Sequence, residues 1–163
     1  MSVNVYLWSS LKSVKAAKTL NAAVGYLLEI QTKKGPATLN KTVLLSGVAE
    51  EMTANGAELY ALKSALSRIN IKCDVEIYTE NRYIASAVEN GWVQQWSIGG
   101  WVTKSGAAVA NKEYWSEIWA KLDGVNVTWH AKEPHTYKKW LKEEVEENRA
   151  FVAPVQQKGD RNV

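Results

Sequence analysis

The chain is poor in the features that would stabilise or anchor a protein by means other than a core. Its 163 residues include one cysteine, Cys73, inside an apparent strand. No intrachain disulfide can form, and a cytoplasmic setting is expected. No run of eighteen apolar residues occurs, which excludes a membrane-spanning helix. The opening stretch MSVNVYLWSS lacks a charged lead followed by a long apolar segment, so it does not read as a secretory leader. Histidine and cysteine do not cluster at zinc spacing. Neither sign of charge dominates: 20 Lys and Arg against 17 Asp and Glu leave +3. The pI near 8.9 permits a nucleic-acid partner without demanding one. No internal repeat or domain linker divides the chain.

What remains is apolar and aromatic. A hydrophobic content of 46% suffices for one core, and eight tryptophans are unusual at this length. The expectation is a single domain over residues 1–150, followed by a tail, 151–163, too poor in apolar residues to order alone. VNVYLWSS reads as a first strand, followed by the Lys-rich connection LKSVKAAKTLN. AAVGYLLEIQT and TVLLSGVAEEM read as a strand pair around KKGPATLNK, a hairpin loop with a Gly-Pro turn. Leu59, Leu62, Leu66 and Ile69 recur at helical spacing in TANGAELYALKSALSRI. KCDVEIYT is a strand, and NRYIASAVENG a helix stopping at Asn90-Gly91. The Trp-rich segment from Trp92 to Leu122 reads as helix, loop, helix. GVNVTWH is a last strand, AKEPH a loop and TYKKWLKEEVEENRAF a final helix.

Three strands, a helix, a strand, helices, a strand and a helix imply an α/β fold. The expected sheet is mixed and five-stranded, three strands antiparallel and then two parallel, flanked by helices. Crevices in such folds lie at the carboxyl ends of the parallel strands. Glu80 stands at such an end, in DVEIYTENRY.

At this point the chain resembles the ribonuclease HI family. TANGAELYA is similar to that family's Thr-x-Asn-x-x-Glu-Leu-x-Ala stretch, and YTENRYI to its Thr-Asp-Ser-x-Tyr-Val. Trp92, Trp96, Trp101, Asn111 and Trp115 follow in the order of its Trp-rich substrate-binding region. The resemblance covers roughly residues 3 to 147. It implies a ribonuclease H-like fold, cleavage of RNA in RNA–DNA hybrids, and Mg²⁺ or Mn²⁺ held by carboxylates. Glu58 and Glu80 match two of the metal ligands, and Glu143 or Glu144 is offered for the last. Glu58, Glu80, Glu143 and His135 thus form the implied catalytic set. Thr53, Asn55, Trp92, Trp96, Trp101 and Lys104 form the implied hybrid-binding set.

The match departs from the family at the first ligand. Trp8 falls where an Asp belongs, and an indole cannot ligate Mg²⁺. Weak or single-site metal binding and impaired cleavage are therefore expected. Several positions carry two readings. Asn55-x-x-Glu58 also fits a capping box, with Asn55 as N-cap and Glu58 at N3. Glu80 also suits a helix start, where the dipole favours an acid. Glu143 and Glu144 lie in a charged run that also suits an exposed face. Trp92 and Trp96 stand at i and i+4, either as core or as a groove wall. Only Lys104 and Lys112 accompany them, so phosphate contacts are thinned unless Lys12, Lys15, Lys18, Lys138, Lys139 and Lys142 compensate. Two functions remain open: a metal-dependent hybrid nuclease of reduced efficiency, or a non-catalytic nucleic-acid-binding or protein-interaction domain.

Overall fold

A computed structural model describes residues 1–11, 19–32, 35–46 and 52–152, without the side chains of 37–46 and 148–152. Lys12, Lys15, Lys18 and the tail from residue 153 lie outside the described residues. The elements run β1 (Ser2–Ser9), β2 (Ala23–Thr32), β3 (Gly35–Ser46), α1 (Ala54–Leu66), β4 (Asp74–Thr79), α2 (Arg82–Glu89), α3 (Trp92–Ile98), α4 (Lys112–Leu122), β5 (Val127–Ala131) and α5 (Lys138–Val152). The sheet order is β3-β2-β1-β4-β5. β1 pairs antiparallel with β2, and β2 with β3; β1–β4 and β4–β5 are parallel. This is the mixed five-stranded arrangement expected from the element order.

Local chemistry moves three boundaries. Strand β3 begins at Gly35 rather than after the whole of KKGPATLNK. Gly35 has φ 111, which a glycine tolerates, and β3 is an edge strand, where Pro36 removes no needed ladder donor. Helix α1 ends before Ile69, with Ser67 as its C-cap. Its N-cap is Thr53, not Asn55: Thr53 is extended, and its Oγ1 accepts from the Gly56 N–H at 3.0 Å. Asn55 already lies inside the helix, so the expected capping box does not form and the Glu58 carboxylate is free for another partner.

Alternation along β1 sorts its side chains between two layers. Val3, Val5 and Leu7 join Val75 and Ile77 of β4 in the larger core, against Leu59, Leu62 and Leu66 of α1 and Trp115 and Ile118 of α4. Tyr6 and Trp8 point the other way and pack with Leu27 of β2 and Leu141 and Val145 of α5. Helix α5 therefore covers one face of the sheet and the remaining helices the other. The two layers meet at the carboxyl end of β4.

Candidate active site

Glu58 and Glu80 reach the end of β4 from opposite layers. Glu58 projects from the second turn of α1 and is buried at 2% exposure. Its Oε2 accepts from the Thr79 hydroxyl, and the Glu80 backbone N–H also donates to it. Burial pushes the Glu58 carboxyl up to about 7; the bonds from Thr79 and Glu80 oppose that rise and the Glu80 charge adds to it. Glu80 follows β4 and faces α5, where the Lys138 ammonium lies 2.8 Å from its Oε2.

Trp8 stands on the α5 side. Its ring is buried with Tyr6, Leu27, Leu141 and Val145, and its Nε1–H donates to Glu146 Oε2 at 2.8 Å. Lys142 Nζ donates to the other oxygen of Glu146 at 3.1 Å. Trp8 is thus a packed core residue with a satisfied donor.

The structure does not bring Glu143 to the other carboxylates. Leu141 and Val145 form the inward stripe of α5, and a residue two positions from either falls on the opposite side at 100° per residue. Glu143 is exposed accordingly. The side chain that α5 delivers to Glu80 is Lys138, which sequence reasoning treated only as a possible phosphate contact.

His135 is half-buried between Tyr6 and Tyr78, with ring centroids 4.6 and 5.2 Å away. Its Nδ1 accepts from the Tyr137 N–H at 3.2 Å. Burial and the nearby Lys138 charge lower its pKa to about 4, against the opposing pull of Glu80, so the ring is neutral at pH 7. Below it, Tyr6, Tyr78 and His130 form a ladder across β1, β4 and β5, with centroid spacings of 4.8 and 4.2 Å. Tyr6 and Tyr137 both donate to the buried carboxylate of Glu29. None of these aromatic partners was visible as a group in the sequence.

The polar helix starts lie beside Glu58. Asn81 is the N-cap of α2, its Oδ1 accepting from the Ile84 N–H at 3.2 Å. Its Nδ2 donates to Asn55 Oδ1 at 2.7 Å, which ties α1 to α2. Asn111 precedes α4 with φ 60. A Cβ on Gly56 would lie 3.2 Å from both Asn111 Oδ1 and Thr53 Oγ1, so the absence of a side chain at 56 lets these groups converge. Asn81 was missed in the sequence; the acid-Asn step between a strand and a helix carried its signal.

Trp92, Trp96 and Lys104 line one shallow groove with Asn90, Gln95, Val102 and Thr103. Trp96 serves core and groove together: it packs on the main core, edge-on to Trp115 at 6.2 Å. Trp101 also packs on that core and has φ 65. Trp92 remains 40% exposed.

The resemblance implies a pair of Mg²⁺ or Mn²⁺ ions, and the donors present do not fit such a pair. Hard cations need several oxygen ligands converging on one point. Here Glu58 is engaged by Thr79, Glu80 by Lys138, position 8 offers an indole, and Glu143 faces away. Among the described residues no three His, Cys, Asp or Glu side chains gather in a metal-binding group.

Comparison with known proteins bears on the fold and the family. The RNase H family model matches residues 9–149. The ribonuclease H of Prosthecochloris aestuarii is 36% identical over 92 residues, which cover 56% of this chain and 63% of that protein. The ribonuclease H of Francisella philomiragia is 35% identical over 85 residues, covering 52% and 55%. The chain thus spans between half and two thirds of the length of these curated relatives. Among solved structures, LC9-RNase H1, described as a type 1 RNase H with the type 2 active-site motif, aligns with TM-score 0.66 at 22% identity, over 97% of this chain and 74% of that one. LC11-RNase H1, solved in complex with an RNA/DNA hybrid, aligns with TM-score 0.57 at 18% identity, over 88% and 92%. At such identities these structures speak for the fold alone. The order of β-strands, the Glu58 and Glu80 positions at the end of β4, and the family model across most of the sequence lead to one conclusion: this chain belongs to the ribonuclease H family.

Proposed function

We propose that this protein binds RNA–DNA hybrids on a ribonuclease H scaffold and cleaves them slowly or not at all. The observation that carries the reading is the Lys138–Glu80 ion pair, which occupies the carboxylate a catalytic cation needs. Trp8 supports it, because an indole replaces an oxygen ligand on β1. Mg²⁺ or Mn²⁺ binds weakly and at a single place in this reading, since it competes with an ammonium for Glu80. Thr53, Asn55 and Asn81 at the starts of α1 and α2, and the groove of Trp92, Trp96 and Lys104, supply polar and stacking contacts to the two strands. Glu143 has no part in it, and His135, neutral and tethered, positions the loop rather than moving a proton. A cytoplasmic setting agrees with the single cysteine.

A second reading is favoured by one feature. Tyr83, Trp92, Ile98 and Val102 are exposed apolar residues around α2 and α3, Ile98 at 80%. With few lysines among them, this surface also suits a protein partner.

Binding of a labelled hybrid and of double-stranded DNA, followed by fluorescence anisotropy across a salt series, tests the proposal. Hybrid preference with a steep salt dependence is expected. Equal or absent binding to both at low salt favours the protein-docking reading. In a parallel cleavage assay, hybrid hydrolysis in Mg²⁺ as fast as by a complete four-carboxylate ribonuclease H would overturn the impaired-catalysis part.

A further inference from the structure

The donor set that fails to fit two metal ions is not simply incomplete. It contains a cation of its own. Lys138 is the first residue of α5, a position where the helix dipole disfavours positive charge. No acidic side chain stands in that first turn to offset it. The offset comes from outside the helix, from Glu80 at 2.8 Å. The two side chains are 30% and 18% exposed, so the pair is shielded on one side and open on the other. A lysine ammonium has three donors. One is directed at Glu80, and the open side leaves others for a phosphate oxygen.

The neighbours complete the balance. A cluster of several ionised carboxylates repels a phosphate unless divalent cations intervene. Here His135 contributes no charge at pH 7. Glu58 is held back among Thr79 and the Glu80 backbone. Glu146, a half-buried acid of α5, is taken up by Trp8 and Lys142. Leu141 and Val145 pack beneath and add no anion, and the Glu29 carboxylate behind Tyr6 is taken up by the Tyr6 and Tyr137 hydroxyls.

We infer that Lys138 is the built-in cation of this site: its ammonium neutralises Glu80 in place of a divalent ion and receives the hybrid's phosphate, so that binding needs no metal. Metal exclusion is a property of the chain alone; the phosphate contact rests on the hybrid-binding proposal above. The two parts are separately testable.

For the first part, Mn²⁺ is titrated into the protein and its binding is read from electron paramagnetic resonance of the free ion. The wild type should hold Mn²⁺ only in the millimolar range. Lys138→Met, which keeps the aliphatic stem and removes the charge, should bind it about tenfold more tightly, and the gain should vanish when Glu80→Gln is added. Lys138→Arg should behave as the wild type, and near-ultraviolet circular dichroism confirms that each variant is folded. Tight binding of two ions by the wild type, or no gain in folded Lys138→Met, overturns the inference.

For the second part, hybrid anisotropy is measured in EDTA and in Mg²⁺ at matched ionic strength. Wild-type affinities should agree within about twofold. Lys138→Met should lose about fivefold or more in EDTA and recover part of it in Mg²⁺. A wild type that binds hybrid only with Mg²⁺ refutes the phosphate role of Lys138. A wild type that binds no hybrid in either buffer refutes the hybrid-binding proposal instead, and the Mn²⁺ titration still decides whether Lys138 excludes the metal.

Discussion

The two faces of the sheet solve burial differently. The face under α1 and α4 is largely aliphatic, built from Val3, Val5, Leu7, Leu59, Leu62, Ile77 and Ile118 around Trp115. The face under α5 is aromatic and polar: Tyr6, Tyr78, Tyr137, His130 and His135 stack over the buried Glu29, with Trp8 beside them. Two glutamates at the end of β4 record that difference. Glu58, from the aliphatic side, meets desolvation with a hydroxyl and an amide and is held toward its neutral form. Glu80, from the aromatic side, meets a lysine. The same residue type is thus treated as a buried acid in one layer and as half of an ion pair in the other.

The sharpest way to break this contrast is Trp8→Asp. From the sequence this change looks like the restoration of a ligand. In the structure it removes a buried indole and places a carboxylate next to Glu146 under α5. A loss of more than about 4 kcal/mol in urea unfolding is expected, since Trp truncation in a core costs roughly 3–5 kcal/mol and an unpaired charge adds to it. A stable, folded Trp8→Asp protein with Mg²⁺-dependent cleavage would show that the ring is dispensable.

Glu58 offers a pH test. Its folded value, about 7, lies above the ordinary 4.5. The unfolded chain therefore releases this proton first, and the stability tied to the protonated form is present below about 4.5 and lost as pH rises through about 7. Glu58→Gln cannot titrate. The wild type should lose on the order of 2 kcal/mol more than Glu58→Gln between pH 4.5 and pH 8, measured by denaturant titration. Parallel pH curves for the two proteins would mean that Glu58 ionises freely in the fold.

On the aromatic face, Tyr137→Phe removes one of the hydroxyls that Glu29 accepts from. A cost of about 1.5 kcal/mol is expected from thermal unfolding, as for a hydrogen bond to a charged group. A neutral result would show that Tyr6, Asn4 and Gln31, the other donors to Glu29, suffice. The smallest effect belongs to the outer surface of the aliphatic layer, where Lys63 and Glu117 lie 3.9 Å apart with Glu117 largely exposed. Glu117→Ala should change stability by less than about 0.5 kcal/mol, within the error of most melts.

Much of this contrast was latent in the residues, and its partners were not. The order of strands and helices could be read because apolar periodicity is local, and Glu80 could be placed because a strand end is a local event. The helix start at α1 was misplaced by two residues because Thr53 and Asn55 both cap well, and only backbone geometry selects between them. Glu143 was preferred by its spacing to Val145, although that spacing is what turns it outward once Leu141 and Val145 face the core. Lys138, Thr79 and Glu146 gained their roles through partners more than twenty positions away on other elements, except where Lys142 neighbours Glu146 on one helix. No local pattern announces such meetings. Trp8 was read from the sequence only through the resemblance, whereas its packing against α5 is a tertiary fact.

The bond between Trp8 and Glu146 joins positions 138 residues apart. The aliphatic layer closes with Trp129 of β5, whereas the aromatic layer waits for α5. During synthesis from the N-terminus, Tyr6, Trp8 and Leu27 therefore emerge long before the helix that covers them. Contacts of such long separation form late because the chain entropy between them is lost before any contact is gained. Lys138 arrives on that same last helix, so Glu80 meets its ammonium only once α5 has docked.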